Sequence, residues 1–315
     1  MAQPPSTSLP PALAVTRVEK RFGTVRALAG ASFQLERGEL LGLLGPNGAG
    51  KTTMIRGIAG RTRFDAGDVV LLGRLLTPTD PRPEIGVVPQ ELAIYKRLTA
   101  RENLSAFGRL AGVPADRIQE RVTWALEWSD LRERADEPTE RFSGGMKRRL
   151  NIACSLLNEP SVVLLDEPTV GVDPQSRGRI YEMLAALRAR GVSIVLTTHH
   201  LEEAEQRCDR IVIIDKGTCV AEGTVPELVR ASVGASRRVD VALGTPWPES
   251  AALPSGATLA EDRLELRATV TDVGVQLPVL LGQLAATGVQ LDDVKLTGAT
   301  LQDVFIALTG RELRE

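Results

Sequence analysis

The chain reads as an α/β protein: a layered domain that opens on an antiparallel β meander, then a small α+β domain. Three observations lead there. Four short apolar runs (41–45, 162–166, 193–198 and 210–215) are rich in Val, Ile and Leu and lack alternation, as strands buried on both faces do. Amphipathic helical stretches such as 177–191 recur between them, and that alternation builds a sheet sandwiched by helices. A glycine-rich loop, Gly45 to Thr53, lies between one of those strands and a helical run.

Taken in order, residues 1–13 lack both the basic start and the apolar core of a signal peptide and predict a disordered tail. The nucleotide-binding domain is expected over 14–231. Its opening, 14–36, alternates with period two and carries Gly-Ala turns, which predicts an antiparallel meander. Past 231 the stretch to about 256 is a run of small residues and turn signals. A strand over 262–270, a helix over 276–287, a strand over 289–298 and a closing helix over 300–310 complete a βαβ-type accessory domain, 232–315.

Composition excludes several classes. The 315 residues carry 38 basic and 40 acidic side chains, a net charge of −2, which argues against bulk affinity for nucleic acid, since that needs a basic face. Cys154, Cys208 and Cys219 are too few and too irregularly spaced for a disulfide framework or a thiolate metal site. The richest apolar stretch, 275–291, is broken by Gln276, Pro278, Gly282, Gln283 and Gly288, which predicts no transmembrane helix.

The loop Gly45, Pro46, Asn47, Gly48, Ala49, Gly50, Lys51, Thr52, Thr53 has the G-x-x-x-x-G-K-T spacing of a P-loop. Its glycines let successive N–H groups face a polyphosphate, and Lys51 adds a point charge. The following helix presents its positive end, and the Thr52 hydroxyl is placed for Mg²⁺. Downstream, VVLLDEP ends an apolar strand in two acids. Asp166 suits the metal, and Glu167 suits the orientation of an attacking water. Ser143, Gly144 and Gly145 open a basic helix and form a second anion cradle. By itself Ser143 also reads as an ordinary N-cap. Because one nucleotide needs only one cradle, the second is expected to face the nucleotide of another subunit.

These motifs together resemble the ATP-binding subunits of ABC transporters, whose LSGGQ signature stands here as FSGGM, with Met146 in place of glutamine. The resemblance covers 14–225. It implies a P-loop ABC ATPase domain with a RecA-like α/β core, an antiparallel β subdomain and an α-helical signature subdomain at about 91–160, and ATP and Mg²⁺ as ligands. It places Phe22 against adenine, Gln90 at the metal and attacking water, Asp173 at the subunit junction and His199, rather than His200, at the γ-phosphate. A homodimer closed head to tail by ATP follows, with a separate multi-helix permease as partner. The chain is then expected at the cytoplasmic face of the cell membrane, touching it only through the permease.

The stretch 95–113, with LTARENL, resembles ATPases paired with drug-exporter permeases, and Leu98, Leu104 and Phe107 are expected to line the permease groove or the subdomain interior. The ending 300–313 resembles the daunorubicin/doxorubicin-resistance type. Export of drug-like or hydrophobic compounds is the leading expectation. The alternatives are export of ions or polysaccharide, and a non-transport ABC ATPase. A GTPase or kinase-like switch lacks the base-reading motif and leaves FSGGM unexplained.

Overall fold

The computed structural model describes residues 9–234 and 237–310, and they divide into two compact units, one running to Gly223 and one beginning at Thr224. The expected tail lies outside the described residues as far as position 8. Ala12 and Leu13 are already buried, so the folded part starts slightly before residue 14.

In the first unit, β1 (Leu13–Phe22) and β2 (Val25–Leu35) form the predicted antiparallel pair. The sheet continues through β4 (Ala66–Leu71) and β5 (Arg74–Leu75) in the order β2-β1-β4-β5. A second sheet has six strands: β3 (Leu40–Leu44), β6 (Ile85–Val88), β7 (Val162–Asp166), β8 (Ser193–Thr198), β9 (Arg210–Asp215) and β10 (Thr218–Gly223). Its order is β10-β9-β3-β8-β7-β6, parallel except for β10. Strands β3, β7 and β8 are buried at every residue. That is why they show no alternation in the sequence. One face of the large sheet packs with the smaller sheet and α1 (Lys51–Ile58), through Leu43, Met54, Val195 and Leu28. Its other face receives α5 (Pro174–Ala189), through Ile180, Leu184 and Leu187. Helix α6 (Leu201–Arg207) follows β8.

The helical subdomain comprises α2 (Ala100–Leu110), α3 (Ile118–Trp128) and α4 (Gly144–Cys154), with their own core of Leu104, Val122, Leu126 and Leu150. The LTARENL stretch has a structural cause. Thr99 and Glu102 close a capping box on α2. Asn103, fully buried, accepts from the Tyr95 N–H at 2.7 Å and donates to the carbonyls of Tyr95 and Thr99. Trp124 and Trp128 stack in the same subdomain, ring centroids 5.6 Å apart. Leu104 is wholly interior, so of the two settings expected for it, permease groove or subdomain interior, the interior is the one found; Phe107 is only partly covered.

The second unit opens with α7 (Val225–Ser232), which packs with α9 (Leu301–Thr309); the unit therefore begins eight residues before the expected 232. Its sheet contains β11 (Arg237–Leu243), β12 (Ala257–Leu259), β13 (Glu265–Val270) and β14 (Leu291–Gly298), in the order β12-β13-β11-β14, antiparallel throughout. Helix α8 (Val273–Ala286) joins β13 to β14. The expected βαβ is thus split, with β11 inserted between its two strands. Val239, Val241, Leu266, Leu284 and Trp247 form the core, and the Trp247 indole donates to the Ala251 carbonyl at 3.1 Å.

Candidate functional site

In a parallel sheet, ligand sites form where strand C-termini meet loops that lead into helices. Here the ends of β3, β7 and β8 are neighbours, because β8 pairs with both of the others. The loop from Gly45 to Gly50 leaves β3 and enters α1. Gly48 and Gly50 have φ of 82° and 109°, the left-handed region open to glycine. At Gly50 a Cβ would also lie 2.5 Å from the Ala27 carbonyl, and at Gly45 it would strike the Ile214 carbonyl. The loop, with Val25, Ala27, Lys51, Thr52, Thr53, Gln90 and Glu167, lines a cleft of about 310 Å³.

Three of the predicted residues meet at the carboxylate of a fourth, Glu167. Lys51 Nζ lies 3.7 Å from Glu167 Oε1, Gln90 Nε2 donates to Glu167 Oε2 at 3.1 Å, and His199 Nδ1 stands 3.5 Å from that same oxygen. Glu167 is held there by a left-handed backbone, φ 47°, a conformation that costs a non-glycine residue roughly 1–3 kcal/mol. Its N–H donates to Thr197 Oγ1 at 2.9 Å and to the Thr197 carbonyl at 3.2 Å. The Thr197 hydroxyl in turn donates to Asp166 Oδ1 at 2.8 Å. Thr197 therefore sets both acids, a role that sequence reading missed. The available signal was its place at the end of the strand that pairs in register with Asp166.

Lys51 is 5% exposed, and its ammonium donates to the Gly45 carbonyl at 2.7 Å. Burial lowers its pKa from the usual lysine value, and the carboxylates of Glu167 and Asp166 oppose that shift. His200, the neighbouring ring, has its centroid 4.3 Å from that of His199.

The other predicted residues lie elsewhere. Phe22 is half exposed, with Lys20 Nζ 5.4 Å from its ring centroid, and it does not line the cleft; Val25, its partner across the hairpin, does. Ser143 caps α4 by accepting from the Met146 N–H at 3.2 Å, as an ordinary N-cap would. Ser143 and Gly144 are exposed, whereas Gly145 is buried and a Cβ there would strike Ser176. Met146 turns toward the helical-subdomain core. Asp173 caps α5 by accepting from the Ser176 N–H at 2.9 Å, and those hydrogen bonds hold its carboxyl below the usual range. A second missed residue is Glu203 on α6. Its Oε2 accepts from the Tyr181 hydroxyl at 2.6 Å and the Thr169 hydroxyl at 3.2 Å, and its Oε1 lies 2.6 Å from Arg177. It ties the helix after His199 to the helix after Asp173.

A loop of this kind beside a strand-end acid pair fits many nucleotide hydrolases; comparison with known proteins decides among them. Residues 28–170 match the family model described as ABC transporter. The Nod factor export ATP-binding protein I of Ralstonia nicotianae is 40% identical, over 99% of each chain. The chain belongs to the ABC transporter family. The daunorubicin resistance ATP-binding protein DrrA3 of Streptomyces coeruleorubidus is also 40% identical to this ABC subunit, over 96% of this chain and 97% of that one. Among solved structures, a dimeric post-hydrolysis ATP-binding cassette bound to ADP and Pi superposes with a TM-score of 0.60 at 25% identity, covering 67% of this chain and 98% of the cassette. This ABC subunit is an ATP-binding and ATP-hydrolysing enzyme. No helix among its described residues is long and apolar enough to cross a membrane.

Proposed function

We propose that the chain is one of two identical ATPase subunits that energise a separate multi-helix permease for export of hydrophobic, drug-like compounds. The observation that carries the ATPase mechanism is the convergence of Lys51, Gln90 and His199 on the Glu167 carboxylate beside the P-loop cleft. The cargo class rests on near full-length similarity to a daunorubicin resistance ATP-binding protein. A second reading, export of a compound of the Nod factor kind, draws on the equal identity to that relative.

The ATP polyphosphate would lie along the N–H groups of Gly48 to Thr53, with the Lys51 ammonium turning from the Gly45 carbonyl to the β and γ phosphates. Phe22, beside the turn of the β1–β2 hairpin, would meet the adenine. Thr52, Asp166 and Gln90 supply oxygen donors only, a set that fits Mg²⁺, and these residues would hold it. When bound, that ion offsets charge on the phosphate oxygens. Glu167 orients the attacking water and takes its proton as the new P–O bond forms and the bond to ADP breaks. His199 and Gln90 steady Glu167, and Thr197 fixes its backbone.

Ser143 and Gly144, exposed at the positive end of α4, would meet the γ-phosphate bound by the partner copy, with Asp173 and Gly145 at the junction. Each site is complete only when the dimer closes, so ATP binding favours closure. A groove of about 420 Å³, with Ala93, Phe107 and Leu110 in its wall, would receive a permease helix. Asn151, in the same wall, donates nothing from its buried amide.

Replacing Glu167 with Gln tests the mechanism. The expected product is an ATP-stabilised dimer that binds nucleotide normally and turns over at least a hundredfold more slowly. Wild-type turnover in that variant overturns the role of Glu167. Sensitivity of a deletion strain to anthracycline-type drugs, reversed by the gene, tests the cargo.

A further inference from the structure

Among the described residues, the sheet of the C-terminal unit ends in a strand that no other strand pairs along one side. Strand β14 is an edge, and residues 292–296 are all exposed. On the face that carries the core, Val294 pairs with Val241 and Leu296 with Val239. Both partners on β11 are fully buried, yet Val294 is 36% and Leu296 42% exposed. The apolar row thus leaves the core and stops at the free edge, a template on which another strand can pair. The Val294 N–H is held by the carboxylate of the preceding Asp293, at 2.8 Å. An N–H bonded within its own strand is not spent on β11, and a pairing strand would offer it a carbonyl in exchange for the carboxylate.

The order of charges says which strand fits. Asp293 and Lys295 flank Val294 on the opposite face. If an antiparallel copy of the same strand is centred on Val294, each Asp293 lies opposite the other copy's Lys295, and Val294 meets itself. Sliding by one pair in either direction sets Asp293 opposite Asp293, or Lys295 opposite Lys295. Cross-strand partners of opposite charge stabilise a sheet and like charges destabilise it, so one register is selected.

We propose that a second copy of this chain pairs here, β14 against β14, so that the two C-terminal units share one eight-stranded sheet. The occupant is committed by charge: the Asp293–Lys295 pair is complementary to its own reverse. The contact needs no nucleotide. It adds to the proposed ATP-driven clamp a standing link that keeps the two ATPase units at high local concentration while their nucleotide sites are open.

Val294→Cys in the full chain, combined with Lys51→Ala and oxidised without nucleotide, tests it. Directly opposed residues that exchange hydrogen bonds have Cα atoms roughly 5.5 Å apart, within disulfide reach. The native thiols give a quiet background: Cys154 is buried, and burial pushes Cys208 up to about 12 and Cys219 up to about 11. The expected result is a disulfide-linked dimer from Val294→Cys and none from Val275→Cys, an exposed position on α8. Asp293→Lys or Lys295→Asp alone should lose the link and halve the mass in solution, and the two together should restore both. Cross-linking at 294 no faster than at 275 overturns the proposal, as does a double swap that behaves like either single. The clamp fails separately: Glu167→Gln then gains no ATP-dependent contact while the link at 294 persists.

Discussion

At the scale of single residues, Glu167 gathers the ammonium of Lys51, the amide of Gln90 and the imidazole of His199, and Thr197 holds the backbone from which it projects. Thr197→Val keeps the shape and removes the hydroxyl, which leaves Asp166 Oδ1 without the donor it has now. An unpaired buried acceptor costs about 1–3 kcal/mol, so urea unfolding should show a loss of that size, together with slower hydrolysis. Lys51 offers a pH test. Burial lowers its pKa from 10.5, so its proton is lost earlier on the alkaline side than that of a free lysine. ATP affinity, measured calorimetrically, should weaken as pH rises through that lowered value, by at least about tenfold once the charge is gone. In Lys51→Ala, affinity should be weak and flat over the same range.

Among elements, the junction of α4 with α5 assigns different work to the two signature glycines. Gly144 has nothing within 4 Å of a Cβ position, whereas Gly145 is pressed against Ser176, the residue whose N–H is capped by Asp173. Gly145→Ala should therefore destabilise the chain by about 1–3 kcal/mol, the usual cost of an inserted methyl in a packed site. Ser176→Gly in the same chain should recover most of it, as read by thermal unfolding; no recovery means the glycine is needed for another reason. The same elements show what a sequence can tell. Strands β3, β7, β8 and β9 were legible because burial on both faces leaves an unbroken apolar run. The P-loop was legible because its backbone conformation demands glycine at fixed spacing. Strand β11 was not: its Val239, Val241 and Leu243 alternate, but they follow small residues and precede turn-forming ones that dominate the window. Leu104 could not be assigned to interior or groove, since either setting asks for leucine at that helical position. Contacts made by Thr197 and Glu203 join residues about 30 positions apart, and no local pattern records them.

For the whole molecule, the two units divide the labour. The first holds every residue of the proposed ATPase site, and the second holds none of them. The solved cassette matches about two thirds of the chain, whereas the export and resistance relatives run along nearly all of it. Removing the chain from Thr224 onward should leave ATP binding in place while abolishing the nucleotide-independent dimer, which light scattering would read directly.

The placement of the indoles gives each unit its own optical signature. Of the three tryptophans, Trp124 and Trp128 are stacked in the helical subdomain, and Trp247 lies 3% exposed in the core of the second unit. Stacked rings couple their excited states, while an isolated buried ring emits alone. A melt followed by near-ultraviolet circular dichroism of a chain with Phe at 247 therefore watches the indoles of the ATPase unit, and one followed by the fluorescence of a chain with Phe at 124 and 128 watches the other. Whether the two curves coincide will tell how much of the exporter's engine unfolds as a single body.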